Sequence, residues 1–371
     1  MVQRTMFLPG SQKYPVSPLG VSRPGIPTGR EVAWEPLVDY RRLDVSETTV
    51  HGAVAWADPK GVLHSFGGEV LCYGRSMMKP LMIKPLAKAL GPVLTSAQQA
   101  ITLASHNGAP EHVTVAQSLL VEDEWGLMQT PLDVPLVQFG RQVRRPRRWY
   151  HCCSGEHAGI LRACREMGWP RTGYMLPDHP FFKAYLGEIR RTLGSEWEPL
   201  RVARDGCGLP TVSQTVVELA RCFASLAQRR DEDWIWSSMV AHPDLIGGFG
   251  RCDSTILKSC GGQVIAKEGA DGLLGMAIVH PRYPDGLGVV IKIAHGWNAQ
   301  ATQYVARAIL GVLGFSLRNP LPLGRQKAFL VPGIVPEDLR LELEGVLTWD
   351  EWDPDRDAYD DFGKVDEELN P

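Results

Sequence analysis

No apolar run in this chain of 371 residues approaches the roughly 18 residues that a membrane helix needs. It has no glycine-rich phosphate loop, no dinucleotide fingerprint and no internal repeat, which argues against nucleotide-dependent enzymes and repeat scaffolds. Residues 1–29 are rich in Pro, Gly and Ser and lack a basic start followed by an apolar core, so a secretory signal is not expected. Residues 1–34 read instead as an extended or partly disordered lead-in. Eight cysteines scattered through a long chain of this kind point to a reduced, cytoplasmic protein rather than a disulfide scaffold. Arg141, Arg144, Arg145, Arg147 and Arg148 form a basic cluster, but no aromatic platform or recognition motif accompanies them. Neither a nucleic acid nor a membrane is therefore expected as a partner.

The formal net charge is −3 and is unevenly spread. Residues 350–371 hold ten acidic side chains against Arg356 and Lys364, so residues 346–371 read as a solvated acidic tail. Trp349, Trp352, Tyr359 and Phe362 suggest that part of it packs on the body.

Two hairpins bracket the remainder, 50–57 with 62–66 and 273–280 with 287–294, each with β-branched flanks around a Pro/Asp/Gly turn, at 58–61 and 283–286. Between them the apolar spacing is helical at 156–167, stopped by Gly168 and Pro170, and at 211–227; a further helix is expected at 298–313. Segregated strands and helices imply an α+β fold: one antiparallel sheet built from both chain ends, flanked by helices, with a helical segment inserted between. The expected organisation is a single catalytic unit over 35–345. Its sheet parts are near 35–75 and 262–345, and its helical part near 76–261.

The chemistry-bearing feature is Ser76-Met77-Met78-Lys79 at the strand-to-helix boundary. A serine hydroxyl becomes a nucleophile only when a base takes its proton, and a lysine three residues on along a helix lies on the same face. Pro80 is tolerable in a first turn, whereas Pro85 implies that this helix is interrupted after a turn or two. Four further motifs follow in order: Ala104-Ser105-His106-Asn107-Gly108-Ala109-Pro110-Glu111-His112, His151-Cys152-Cys153-Ser154-Gly155-Glu156-His157, Arg204-Asp205-Gly206-Cys207-Gly208-Leu209-Pro210, and Ala266-Lys267-Glu268-Gly269-Ala270-Asp271-Gly272.

Together the five motifs resemble the asparaginase II family, the Rhizobium etli-type L-asparaginases, over about residues 38–314. The resemblance implies a fold related to serine β-lactamases and glutaminases, a homodimer, and two serine–lysine pairs: Ser76 with Lys79, and Ser105 with Lys267. It implies side-chain amide hydrolysis releasing ammonia. Ser76 would be the nucleophile, Lys79 its base, and Ser105 with Lys267 a relay to the leaving group, although the choice of nucleophile between the two serines stays open. Two facing lysines repel, so one amine is more easily neutral while the other can stabilise an oxyanion. Arg75 and Asp205 are candidates for the substrate's carboxylate and ammonium, with a salt bridge between structural residues as the alternative. His106 and Asn107 are counted with the substrate-binding residues, although His106, His112 and His157 fit better as residues that order the motifs.

The resemblance also implies a zinc ion on Cys153, Cys207 and a lysine, but this chain has Glu156 in place of that lysine, and His151 and Cys152 in place of two asparagines. Two thiolates and a carboxylate still make an ordinary zinc donor set, with His151 and Cys152 as spare ligands. The carboxylate makes the site more anionic, and substrate preference is expected to shift away from free L-asparagine or affinity to weaken. Two other functions stay open: a serine amidase or acyl hydrolase for a different amide, and a non-catalytic metal- or amino-acid-binding relative. Asparagine turnover separates the first from the asparaginase reading, and metal analysis with Ser76→Ala separates the second.

Overall fold

The computed structural model describes residues 34–42, 45–132, 147–296, 298–317 and 327–344. The lead-in up to residue 33, Arg141, Arg144 and Arg145, and the acidic tail lie outside the described residues. Described strands are β1 (Glu35–Arg42), β2 (Val45–Ala57), β3 (Val62–Phe66), β4 (Leu71–Tyr73), β5 (Val202–Arg204), β6 (Pro210–Thr215), β7 (Val264–Gly269), β8 (Leu273–His280), β9 (Tyr283–Ile293) and β10 (Lys327–Leu330). The main sheet is antiparallel, ordered β10-β1-β2-β9-β8-β7, with β3 paired to β2; strands from both chain ends therefore meet at the β2–β9 seam, in register at Ala55↔Val290. The fold is α+β, as the segregated pattern implies.

Helices cover both faces of this sheet, which is why the second half of β2 and nearly all of β8 and β9 are buried. The helix Val216–Gln228 lies on one face, and the strands meet it with glycines. A Cβ on Gly288 would fall 1.9 Å from the Ala220 carbonyl oxygen, and one on Gly275 would strike the Phe223 ring. The other face buries Val54, Trp56, Leu274 and Ile291 under the helix Ala299–Val312, which contributes Val305 and Ile309. Of Val305, Ile309, Val312 and Leu313, whose spacing implies an inward face, three are buried and Val312 is half-buried. Asn298 caps the helix, accepting from the Ala301 N–H at 2.8 Å.

Two expectations are corrected. Residues 211–215 are strand, not helix. Thr215 and Glu218 form a reciprocal capping box that starts the helix at Val216, so Val212 belongs to a small sheet ordered β4-β6-β5. The second hairpin turns at Pro281–Arg282, pairing His280 with Tyr283, rather than at 283–286. The β8–β9 register shifts between Ile278 and His280, and on β9 Gly286 adopts φ +95°, a conformation that suits a bulge. The interruption expected after Lys79 is present as a relay of short pieces: 3₁₀ turn Arg75–Met78, α-helix Lys79–Ile83, 3₁₀ turn Lys84–Leu86 and α-helix Ala87–Leu90. Among the described residues no helix is long and apolar enough to cross a membrane.

Candidate active site

The site lies between the β7 edge of the main sheet and the helical segment. The turn carrying Ser76 packs directly on β7, where a Cβ on Gly269 would sit 3.0 Å from the Met77 Cβ. Arg75, just before the serine, holds φ +50°, which is unusual for a residue with a side chain. Its N–H donates to Thr211 Oγ1 at 3.2 Å, its Nε to Asp205 Oδ1 at 2.7 Å, and its Nη1 to Asp271. Arg75 and Asp205 thus pair with each other. With Ser76, Glu156, Cys207 and Thr211 they line a narrow pocket with room for about one water. Among the described residues the hydrogen-bond contact of Ser76 Oγ is with Cys153 Sγ at 3.9 Å.

Lys79 is not hydrogen-bonded to Ser76. It is 1% exposed, its ammonium donates to the Ala104 carbonyl, and it lies 3.3 Å from Glu156 Oε2, a carboxylate equally buried. A buried ammonium takes the most negative acceptors within reach, and a carboxylate and a carbonyl outbid a hydroxyl. Burial opposes its charge, but Cys153 and Glu156 outweigh burial, and its pKa is raised. Several acids compete for this one cation. Hydrogen bonds from Cys152 and Cys207 draw the Cys153 thiol well below its ordinary value, the same bonds push Cys152 and Cys207 well above theirs, and burial lifts Glu156 to about 8 despite Lys79.

The donor atoms of Cys153, Glu156 and Cys207 lie within 4.8 Å of one another, so the three residues expected to hold a metal do converge. Glu156 divides its oxygens: Oε2 faces Lys79, while Oε1 is buried without a hydrogen-bond partner among the described residues. A buried carboxylate oxygen left unpaired beside two thiols is what a cation would satisfy. The donor set fits zinc.

The second serine–lysine pair is likewise not joined by a hydrogen bond. Ser105 Oγ is buried and has no hydrogen-bond partner among the described residues, while Lys267, with 0% exposure, reaches Asp253 Oδ2 at 3.3 Å and the Glu268 carbonyl at 2.7 Å. Arg251 ties the two segments together, donating to the Ser105 carbonyl at 3.1 Å and to Glu268 Oε2 at 2.7 Å. Burial lowers the Lys267 pKa, Asp253 opposes that, and the neighbouring Lys79 charge adds to it. Asp253, Glu268 and Arg251 carry this part of the site, and the sequence reading gave none of them a role. The available signal was Lys267 itself, since a buried ammonium requires a carboxylate.

His106 and Asn107 do not line the pocket. His106 Nδ1 accepts the Gly108 N–H at 3.1 Å, which leaves Nε2 to donate to Ser154 Oγ at 2.9 Å. The ring is fully buried, stacks on His112 at 5.1 Å, and orders the second and third motifs against each other. Asn107 donates its N–H to the Gly247 carbonyl at 3.0 Å, and its side chain fills the space that Gly248 leaves open.

An α+β scaffold carrying serines and buried lysines beside a cluster of thiols suits an amidohydrolase, and comparison with known families agrees. The chain belongs to the L-asparaginase II family, whose model matches residues 38–328. Among solved structures it is similar to a probable glutaminase from Bacillus subtilis complexed with 6-diazo-5-oxo-L-norleucine, at 14% identity and TM-score 0.31, covering 71% of this chain and 85% of that one. It is also similar to a Bacillus glutaminase in the presence of 4.3 M NaCl, at 14% identity and TM-score 0.30, covering 68% and 87%. These overlaps are loose, and the functional reading stands on the family and on the site's geometry. No curated protein matches the chain.

Proposed function

We propose that this protein hydrolyses the side-chain amide of L-asparagine or a close analogue, releasing ammonia, with Ser76 as nucleophile. The observation that carries the reading is the environment of Ser76: a hydroxyl at a pocket bounded by the Arg75–Asp205 pair, next to a fully buried lysine. Opposite charges at one pocket suit an amino acid: once the Arg75–Asp205 pair parts to admit it, its carboxylate would meet Arg75 and its ammonium would meet Asp205.

Lys79, held as an ammonium by Cys153 and Glu156, must first pass its proton to a neighbouring acid such as Glu156 before it can take the serine's proton. Lys267, with its pKa lowered by burial, is the readier acceptor. Ser105, whose buried hydroxyl lacks a partner, suits a relay toward the leaving ammonia. Cys153, Glu156 and Cys207 would hold a zinc ion, which when bound supplies a fixed positive charge beside the pocket. The expected assembly is a homodimer.

Ammonia release from L-asparagine and L-glutamine by the purified protein tests the reading, with Ser76→Ala as control. Release by the wild type that Ser76→Ala abolishes is expected. Folded protein that releases none from either amino acid refutes it. Release that survives Ser76→Ala moves the nucleophile to Ser105.

A further inference from the structure

Cys153 stands at the centre of more donors than one ion uses. It belongs to two groups, one with Glu156 and Cys207 and another with His151 and Cys152, and within each group the donor atoms lie no more than 4.8 Å apart. The second group shares only Cys153 with the first, and its geometry is specific. Cys152 Sγ and Cys153 Sγ are 3.7 Å apart. Two thiolates bound to one tetrahedral zinc at ~2.3 Å each stand about 3.8 Å from one another, so these adjacent sulfurs already have the spacing of a shared ion.

His151 supplies the third donor. Its Nδ1 lies 4.0 Å from Cys152 Sγ and accepts the Cys153 N–H at 3.0 Å. The nitrogen facing the thiols is therefore the one that carries the lone pair, the state a metal needs. A sulfur and an imidazole nitrogen on the same zinc stand about 3.6 Å apart, a few tenths of an ångström less than seen here, and a small turn of the ring closes that gap. Binding exchanges the backbone hydrogen bond for a coordination bond. His151 and Cys153 are buried, while Cys152 is only half-buried, which leaves an approach for the ion and for a solvent ligand to complete its shell.

We propose that Cys153 bridges two soft divalent cations of the zinc class, one held with Glu156 and Cys207 and a second held with His151 and Cys152. The bridging rests on the zinc reading of the first group, whereas the second group rests on its own donors. A bridging thiolate gives each ion less of its charge than an unshared one. With Cys153 Sγ 3.9 Å from Ser76 Oγ, the second ion would tune the electrostatics at the nucleophile.

The test is zinc stoichiometry. The full chain, reduced and reconstituted with zinc sulfate under anaerobic conditions, is desalted and weighed by native mass spectrometry, with elemental analysis as a check and circular dichroism confirming that each variant is folded. Two zinc ions per wild-type chain are expected, falling to one in Cys152→Ser, one in His151→Ala and one in Cys207→Ser. Cobalt(II) gives a second readout: its thiolate charge-transfer band should reach its end point at two equivalents in the wild type and one in Cys152→Ser. A single zinc in both the wild type and Cys152→Ser overturns the second site and leaves the Cys153–Glu156–Cys207 reading standing. No zinc on any folded form overturns both. Ammonia release is measured separately and stands or falls apart from either result.

Discussion

Asp253→Asn isolates a buried charge without changing the size of the side chain. Asp253 and Lys267 are both fully buried, with Nζ 3.3 Å from Oδ2; the carboxylate also accepts the Glu268 N–H at 3.1 Å and the Ser254 N–H at 2.9 Å. Glu268 is a poor substitute, because Arg251 and the Cys252 N–H both hold its Oε2. Leaving one member of a buried pair uncompensated costs about 3–5 kcal/mol, and because the amide keeps one acceptor oxygen the expected loss is about 3 kcal/mol at pH 7. The pH dependence sharpens the test. Burial depresses the Lys267 pKa below 10.5 and Asp253 partly restores it, so the variant should depress it further. The unfolded chain then binds more protons between the folded-state value and 10.5, and stability rises with pH across that window. The deficit of Asp253→Asn should therefore shrink on going from pH 7 toward pH 10. In the wild type Asp253 itself is held below 3.8, since Lys267 and Arg251 outweigh burial, so its contribution is lost only as pH falls through that lower value. Urea unfolding followed by tryptophan fluorescence reads all of this. A deficit below about 1 kcal/mol at pH 7, or one that does not shrink in alkali, refutes the reasoning.

Gly155→Ala should cost about 1–3 kcal/mol, because its Cβ would meet the Ile101 carbonyl oxygen at 2.1 Å, in the helix Ser96–Thr102 that packs on the helix Ser154–Met167. An unchanged melting temperature would show that the two helices part freely. Glu156→Lys removes the carboxylate beside Lys79 and makes the pocket less anionic, so kcat/KM for free L-asparagine should rise by roughly tenfold while the melting temperature falls. If neither zinc content nor asparagine turnover changes, the electrostatic account of Glu156 is wrong.

The first hairpin, the pairing of the second hairpin's strands and the sheet-around-helices plan were legible because β-branched alternation reports local preference, and at those points local preference and tertiary packing agree. The strand at 210–215 was not. Its apolar residues continue the helical spacing that follows, and only the Thr215–Glu218 capping box marks the boundary. Likewise the turn at Pro281–Arg282 was masked by a stronger turn signature at 283–286, which the strand absorbs as a bulge at Gly286. At the site, motif order singled out Ser76, Lys79, Cys153, Glu156, Cys207 and Lys267 as candidates, and three of them, Cys153, Glu156 and Cys207, converge in the structure. What it could not supply was which acid faces which base. Lys79 pairs with Glu156 across 77 positions of sequence and Lys267 with Asp253 across a helix-to-strand return, and no periodic pattern encodes such partners.

Arg75 shows how the fold spends stability on the residue next to Ser76, the proposed nucleophile. A left-handed conformation at a residue with a Cβ costs about 1 kcal/mol, and it persists here because the Arg75 N–H is held by Thr211 and its guanidinium spans Asp205 and Asp271. The side chain is 23% exposed, so each ion pair is worth about 0.2–1 kcal/mol, close in size to the strain. Arg75→Gly loses the pairs and relieves the strain, so its stability should stay within about 1 kcal/mol of the wild type. Arg75→Ala loses the pairs and keeps the strain, and should be about 1 kcal/mol less stable than Arg75→Gly. If the alanine variant is as stable as the glycine variant, the conformation is not strained. Both variants should lose ammonia release by roughly a hundredfold or more, since an unpaired substrate carboxylate forfeits a charge-assisted bidentate contact of about 3 kcal/mol. Wild-type turnover in Arg75→Gly would mean that the guanidinium serves the loop alone and that the substrate carboxylate is bound elsewhere.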